Sequence, residues 1–270
     1  MTLIPSAVAA AADFIADLRQ RRDGRRPPID EIPAAFRPTT LDDGYAVQDA
    51  ARPLIAARGR GAPVGWKIGS TSPPMQAALG IPFPCAGTLY AGTVHRGHAT
   101  MDRGDYAKPG LECEIAVRLG ADLPAVAGGH TRASVLPAVA AVMTSIELVE
   151  WRFVDIKRAG VPSLVADDFF SCGCVLGPAQ PPEILAGDAD LPGRFTADGA
   201  VASAGSARDI LGHPLNSLAW LADHRAARGT PLRAGDIVTL GSIVAALRVD
   251  RPCLVEASFD GLGAATVAVT

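Results

Sequence analysis

The chain is short of lysine, of aromatic rings and of surplus charge. Its 270 residues carry 25 Lys+Arg against 28 Asp+Glu, a net charge of −3, and aromatics make up 5%. That balance supplies no basic stripe to neutralise phosphates, which excludes general nucleic-acid binding. Long apolar runs are missing too. The longest, Val135 to Ile146, is broken by Pro137, Thr144 and Ser145 and then meets Glu147, so it is too short to span a bilayer. The apolar run from Ala7 to Leu18 has no basic lead-in and carries Asp13 and Asp17, unlike a secretion signal. Five cysteines (Cys85, Cys113, Cys172, Cys174 and Cys253) make an odd count without zinc-ribbon spacing. The pair Cys172-Gly173-Cys174 is tighter than a Cys-x-x-Cys redox motif. Free thiols in a reducing cytoplasm are the expectation.

What is present is the composition of a packed globule, 49% hydrophobic and 20% charged. Lysine occurs only at positions 67, 108 and 157, the other 22 cations being arginine. Only lysine readily gives up its proton when buried, so a lysine in a glycine-flanked segment of such a chain points toward chemistry.

Helical spacing from Ser6 to about Arg22 sets Ala10, Phe14, Ile15 and Leu18 on one side. A basic end follows from Arg19 to Arg26, stopped by Pro27 and Pro28. A second helix starts near Thr40-Leu41-Asp42-Asp43, runs through Ala46 to Ala57, and ends at Gly59, Gly61 and Pro63. From Val64 the pattern changes to short runs of Val, Ile and Leu punctuated by Gly, Pro and Asp. It predicts strands over 64–68, 111–119, 144–149, 172–176, 237–240, 243–249, 253–259 and 264–269. Helices are predicted over 73–79, 131–141 and 214–227. Strands and helices do not alternate regularly, which disfavours a doubly wound parallel sheet. The reading is an α+β chain: a helical N-terminal region, 1–63, followed by a mostly β catalytic domain, 64–270.

Leu111-Glu112-Cys113-Glu114-Ile115-Ala116-Val117-Arg118-Leu119 alternates cleanly, placing Glu112 and Glu114 on one strand face. Two such carboxylates repel unless solvated or sharing a cation, and a hard divalent ion prefers oxygen ligands of this kind. A Glu-x-Glu on a strand is by itself most often a solvated polar face. Glu147 stands between Ile146 and Leu148, where a carboxylate is costly to bury without a cation. Glu150 beside Trp151 and Arg152 reads as a rim residue paired with arginine. Lys67 lies on a predicted strand in Gly65-Trp66-Lys67-Ile68-Gly69, as a donor where a ligand can approach or as an edge-strand charge. Asp167 and Asp168 precede Phe169 and Phe170, either as site groups or as a turn with an aromatic plug. His213, just before a helix, reads as a cap residue.

Taken together, these pieces resemble the 2-keto-4-pentenoate hydratase and 4-oxalocrotonate decarboxylase group of the fumarylacetoacetate hydrolase superfamily. The resemblance runs through 65–81, 109–119, 145–152, 165–177, 211–222, 234–242 and 261–267. It implies a mixed β-roll with peripheral helices, Mg²⁺ or Mn²⁺ as cofactor, a small 2-oxo or 2-hydroxy acid as substrate, and a homo-oligomer. It implies Glu112, Glu114 and Glu147 as metal ligands, Lys67 and Asp167 as catalytic groups, and Ser242, Asp168 and Cys85 as substrate-lining positions. Three departures stand out: Asp168 where the family usually has Asn, Phe169 and Phe170 where it has small residues, and Cys85 where it commonly has an acid. The implied activity is hydration of a 2-hydroxy-dienoic acid through an enolate stabilised by the metal, as in aromatic catabolism. Alternatives are 2-oxo acid decarboxylation, acylpyruvate C–C hydrolysis, and a non-catalytic binding protein that keeps the fold.

Overall fold

The computed structural model describes residues 2–20, 27–188 and 190–270. The basic segment predicted after the first helix therefore falls largely on 21–26, outside the described residues. In chain order the helices are α1 (Pro5–Leu18), α2 (Leu41–Ile55), α3 (Pro73–Leu79), α4 (Arg132–Val135), α5 (Ile156–Ala159), α6 (Val161–Ala166) and α7 (Pro214–Ala227). The strands of the first half are β1 (Pro63–Gly69), β2 (Cys85–Tyr90), β3 (Val94–Arg96), β4 (His98–Met101), β5 (Pro109–Leu119) and β6 (Val139–Glu150). Those of the second are β7 (Ser171–Leu176), β8 (Pro192–Ala197), β9 (Ala200–Ser206), β10 (Ile237–Ser242), β11 (Leu247–Arg248), β12 (Cys253–Phe259) and β13 (Gly263–Val269).

They form two sheets, the mixed α+β arrangement expected. The larger has the order β2-β1-β10-β5-β6-β7-β3 with β11 added onto β5, and the smaller β4-β13-β12-β8-β9. The long β5–β6 pairing is antiparallel, whereas β1 and β10 run parallel. Alternation on β5 divides the labour of its two faces. Cys113, Ile115 and Val117 join a core that includes Phe195 of β8 and Val255 of β12, so the smaller sheet covers that face. Glu112 and Glu114 point to the other side.

The same core takes in Ala11 and Ile15 of α1 and Val47 and Ile55 of α2. Thr40 caps α2 by accepting from the Asp43 amide at 3.1 Å, as its position before two acids requires. Gln48 of α2 donates from Nε2 to the carbonyls of Ala86 (2.9 Å) and Val165 (2.8 Å), tying the helix to β2 and α6. Among the described residues no helix is long and apolar enough to cross a membrane.

Two sequence expectations fail here. The helix predicted over 131–141 stops at Val135, passes through a 3-10 turn at Leu136–Ala138, and becomes strand at Val139. Pro137 lacks an amide to extend the helix, and the Val139 and Val142 stretch instead pairs with β5. The strand predicted over 243–249 reduces to Leu247–Arg248. The chain leaves the sheet after Ser242, with Ile243 N bonded to the Cys113 carbonyl at 3.0 Å. Strands β2, β3, β4, β8 and β9 have no counterpart in the sequence-based assignment. His213 is the N-cap of α7 as expected, its Nδ1 accepting from the Leu215 amide at 3.0 Å.

Candidate active site

The register of the larger sheet brings the acidic residues together. Glu112 and Glu114, two apart on β5, share a face, and Glu112 lies directly opposite Glu147 of β6. One ligand oxygen from each of the three carboxylates fits within a 4.8 Å cluster. Glu114 and Glu147 are fully buried, while Glu112 is half-buried. Glu114 Oε2 accepts from the Gly241 amide at 3.2 Å. Among the described residues, Glu114 Oε1 has no close hydrogen-bond donor, and Glu147 has only the Lys67 ammonium, 3.4 Å from its Oε1. Buried oxygens left so are expensive unless a cation satisfies them. An all-carboxylate donor set of this spacing suits a hard divalent ion such as Mg²⁺ or Mn²⁺.

Lys67 reaches the same place from β1, which β10 separates from β5. Two strand spacings amount to about 10 Å, which the long side chain helps to bridge. Its Nζ stands 3.4 Å from Glu147 Oε1 and 5.2 Å from the centre of the Phe169 ring. Burial by itself would lower the Lys67 pKa, but Glu147, Glu112 and Glu114 overturn that and hold it above the ordinary lysine value. Burial, reinforced by the charge of Glu147, pushes the Glu112 carboxyl up to about 7. The Glu114 carboxyl is likewise held well above the usual carboxylate range, by burial first and then by Glu147 and Glu112. Glu147 is raised by burial against the pull of Lys67.

A cavity of about 790 Å³ opens beside this cluster. Lys67, Glu112 and Ser242 line it directly, with Ser242 Oγ 2.8 Å from the Val244 carbonyl and 3.1 Å from that of Cys113. Ser70 also lines it, with left-handed backbone (φ 57°) and a buried hydroxyl that has no hydrogen-bond partner among the described residues. Sequence reasoning passed over Ser70, although it stands three residues from Lys67.

Cys85, Asp167 and Asp168 do not line the cavity. Cys85 is buried on β2 opposite Gly69, and burial pushes its thiol up to about 12. Asp167 accepts from Arg152 Nε at both oxygens, 2.9 and 2.7 Å, and stands 3.5 Å from Arg19. Asp168 accepts from the Thr88 amide at 2.9 Å and from Tyr90 Oη at 3.4 Å, with Arg19 at 3.4 Å. The Asn-to-Asp departure thus faces an arginine behind the site. Arg152 also binds Glu150 at 2.8 Å, the pairing expected for Glu150, though in the interior and not at a rim. The sequence suggests Arg152 as a partner of Glu150 but not of Asp167, 15 residues away, and it does not single out Arg19, whose contact with Asp167 spans 148 residues.

The two arginines brace an unusual bend. Asp168, Phe169 and Phe170 all have left-handed backbone (φ 53°, 48° and 74°), which costs a side-chain-bearing residue of order 1 kcal/mol or more each. Arg19 holds the two ends, donating to the carbonyls of Asp167 (2.8 Å) and Ser171 (2.9 Å). Small residues make room for the bend: a Cβ on Gly69 would sit 2.4 Å from the Phe169 ring, and one on Gly87 2.5 Å from the Asp168 carbonyl. The outcome is that Phe169 and Phe170 face the cavity.

Comparisons with known proteins place the chain among relatives of one family. A family profile described as fumarylacetoacetate (FAA) hydrolase C-terminal matches residues 84–270. The chain is 38% identical over 222 residues to a 2-keto-4-pentenoate hydratase of Paraburkholderia phymatum, covering 81% of this chain and 82% of that protein. It is 30% identical over 238 residues to a 4-oxalocrotonate decarboxylase of Pseudomonas putida, covering 87% and 88% respectively. The solved 4-oxalocrotonate decarboxylase from Pseudomonas putida G7, complexed with magnesium and adipate, aligns with a TM-score of 0.89 at 29% identity. That alignment covers 100% of this chain and 99% of the other.

Proposed function

We propose that this chain, which belongs to the fumarylacetoacetate hydrolase family and is a 2-keto-4-pentenoate hydratase-like enzyme within it, adds water to a 2-hydroxy-2,4-dienoic acid. The observation that carries the reading is the convergence of Glu112, Glu114 and Glu147 beside Lys67 at the wall of a cavity. The three carboxylates would hold Mg²⁺ or Mn²⁺, and a divalent cation there supplies a Lewis acid for a substrate carboxylate and its adjacent C2 oxygen.

The chain's own groups do the rest. Lys67, kept cationic by the surrounding carboxylates, hydrogen-bonds the C2 oxygen and stabilises negative charge as the dienol gives up its hydroxyl proton. That proton is returned at the far end of the conjugated chain, giving a 2-oxo-3-enoate. Water then adds across the remaining C=C bond, its oxygen to C4 and a proton to C3, to give a 4-hydroxy-2-oxo acid. Ser70 Oγ, buried and unpartnered, is a ready hydrogen-bonding group for the bound acid. Phe169 and Phe170 cover the lysine side and keep bulk water from it. Asp167 and Asp168 belong to the frame that holds those rings, and not to the reacting centre.

A second reading, decarboxylation of a 4-oxalocrotonate-type acid, draws support from the magnesium-bound decarboxylase that aligns over the whole chain. The test is a product assay with Mg²⁺ or Mn²⁺ on 2-hydroxypenta-2,4-dienoate and 4-oxalocrotonate in parallel. Disappearance of the dienol with appearance of a 4-hydroxy-2-oxo acid is the expected result. Carbon dioxide from the second acid alone would replace hydration with decarboxylation, and silence on both would sink the proposal.

A further inference from the structure

Of the described residues that line the cavity, only Ser70 has a buried side-chain polar atom without a hydrogen-bond partner. Its polar neighbours in the wall are already engaged. Ser242 spends its proton on the carbonyls of Val244 and Cys113, at 2.8 and 3.1 Å. Gln76 of α3 donates from Nε2 to the Ser70 carbonyl at 2.9 Å. Arg208 Nε donates to the Asp188 carbonyl at 3.3 Å, and Asp209 Oδ2 accepts from the Ser206 amide at 2.8 Å. The backbone on either side shows where the free hydroxyl stands. Before it, a Cβ on Gly69 would meet Lys67 Nζ at 3.3 Å. After it, Thr71 packs on Gly241, where a Cβ would sit 2.2 Å from Thr71 Oγ1, and the Gly241 amide is the one that donates to Glu114 Oε2. Ser70 is thus set between the residue that abuts the lysine and the residue that packs on the anchor of a carboxylate. It holds that place in a left-handed conformation, φ 57°, which glycine would adopt without penalty. What serine contributes at that cost is its hydroxyl.

We propose that Ser70 Oγ binds the water that adds to the substrate and aims its oxygen at C4. The proposal rests on the hydratase reading and deepens it, by giving the second half of the reaction a group of its own. Lys67 and the three carboxylates serve the acid's carboxylate, its C2 oxygen and the loss of the dienol proton, which leaves the incoming water without a holder. A serine hydroxyl has one hydrogen to give and two lone pairs to offer. The hydrogen faces the bound acid, and a lone pair accepts from the water, so that a lone pair of the water is free to attack. In that step the water oxygen forms the C4–O bond and the C3=C4 π pair shifts onto C3 and the C2 carbonyl. The proton shed by the water ends on C3, and Ser70 is unchanged. A water held in this way is in place before the conjugated ketone forms, and such placement removes much of the entropic cost of addition. Phe169 and Phe170 close off bulk water on the lysine side, which makes the held water the one that reacts.

Two reactions separate the halves. Exchange of the C3 hydrogens of 2-oxopentanoate for deuterium, followed by NMR in heavy water with Mg²⁺, reports enolisation without any addition of water. Conversion of 2-hydroxypenta-2,4-dienoate to its 4-hydroxy-2-oxo product reports both. The variant is Ser70→Gly, which removes the hydroxyl and relieves the left-handed strain, so folding is not at stake. Its exchange at saturating acid is expected to stay within about twofold of wild type while kcat for hydration falls roughly a hundredfold. With the dienoate, the variant should release the unhydrated 2-oxo-3-enoate, a product that general damage to the site would not yield. Hydration left intact in Ser70→Gly, or exchange and hydration falling together, would overturn the assignment of the water to Ser70. Wild type decides the reading beneath it. A wild type that does not hydrate the dienoate removes the hydratase reading itself, whether or not it exchanges, whereas wild type and variant both hydrating removes the serine alone.

Discussion

Arg19 Nη1 donates to the carbonyl oxygen of Asp167 at 2.8 Å, across 148 positions of sequence, and stands 3.5 Å from the same residue's carboxylate. A residue at the end of the first helix thereby fastens the bend on which Phe169 and Phe170 are mounted.

Replacing that arginine should be costly. Arg19→Met leaves Asp168 without its cation and the Asp167 and Ser171 carbonyls short of a donor, all within the interior. Breaking one side of a buried ion network costs about 3–5 kcal/mol. Urea unfolding should show a loss of that size. Arg19→Lys should recover only part of it, because an ammonium lacks the planar fork that serves two carbonyls at once.

The left-handed backbone at Phe169 reverses a familiar order. Phe169→Ala and Phe169→Gly both remove the ring and open the wall beside Lys67, at a cost of about 3–5 kcal/mol. Glycine normally does worse than alanine, yet at φ 48° it is free of the Cβ penalty. Thermal or urea unfolding should find the glycine variant the more stable of the two by roughly 1 kcal/mol. Equal or inverted stabilities would mean that the bend relaxes once the ring is gone.

Removing the charges of the proposed metal ligands should separate stability from metal binding. In Glu112→Gln/Glu114→Gln, two of three converging carboxylates lose their charge. The metal-free variant is expected to be more stable than metal-free wild type, by ~1–4 kcal/mol. Wild type should gain stability as Mn²⁺ is added, through mass action on the folded state. The variant should not respond, and calorimetry should detect no Mn²⁺ binding; retained binding would place the ion elsewhere.

His224 carries an acid-side signature. Its ring stacks on Trp220 with centres 5.0 Å apart and lies 4.6 Å from that of Tyr45. Burial, helped by Arg225 and Arg228, lowers its pKa to about 4. Above the unfolded value of 6.5 the ring is neutral in both states and has no effect. Between 6.5 and about 4 the unfolded chain takes up a proton that the folded ring refuses, so stability falls as pH falls. Stability measured by urea unfolding across that window should lose part of its slope in His224→Phe, which keeps the stacking and cannot titrate.

The carboxylates and the lysine were legible because they announce themselves locally. Glu112 and Glu114 need only strand alternation to share a face, and Glu147 stands out as a charge among aliphatics. The structural frame was not legible in the same way. The sequence marks Asp167 as an acid near the site but gives no sign that Arg152 and Arg19, 15 and 148 residues away, enclose it. Strands β8 and β9 are built from residues such as Gly193, Ala200, Ala202 and Gly205, whose small side chains give no alternating signal. At 131–141 the alternation of Ala and Val fits a helix about as well as a strand, and only pairing with β5 decides the matter.

The order of strands has a consequence for how this protein comes into being. Glu112, Glu114 and Glu147 lie on one antiparallel pair, β5 and β6, and that hairpin can close on itself. Lys67 cannot join them so early, because the strand that bridges β1 to β5 is β10, with Gly65 paired to Ile237. A chain growing from its N-terminus therefore makes its lysine first, its acidic hairpin next, and the bridge between them almost last. Such non-local, parallel closure is slow. Fragments ending before Ile237 would hold Lys67, Glu112, Glu114 and Glu147 and still lack the strand that brings the lysine to the carboxylates.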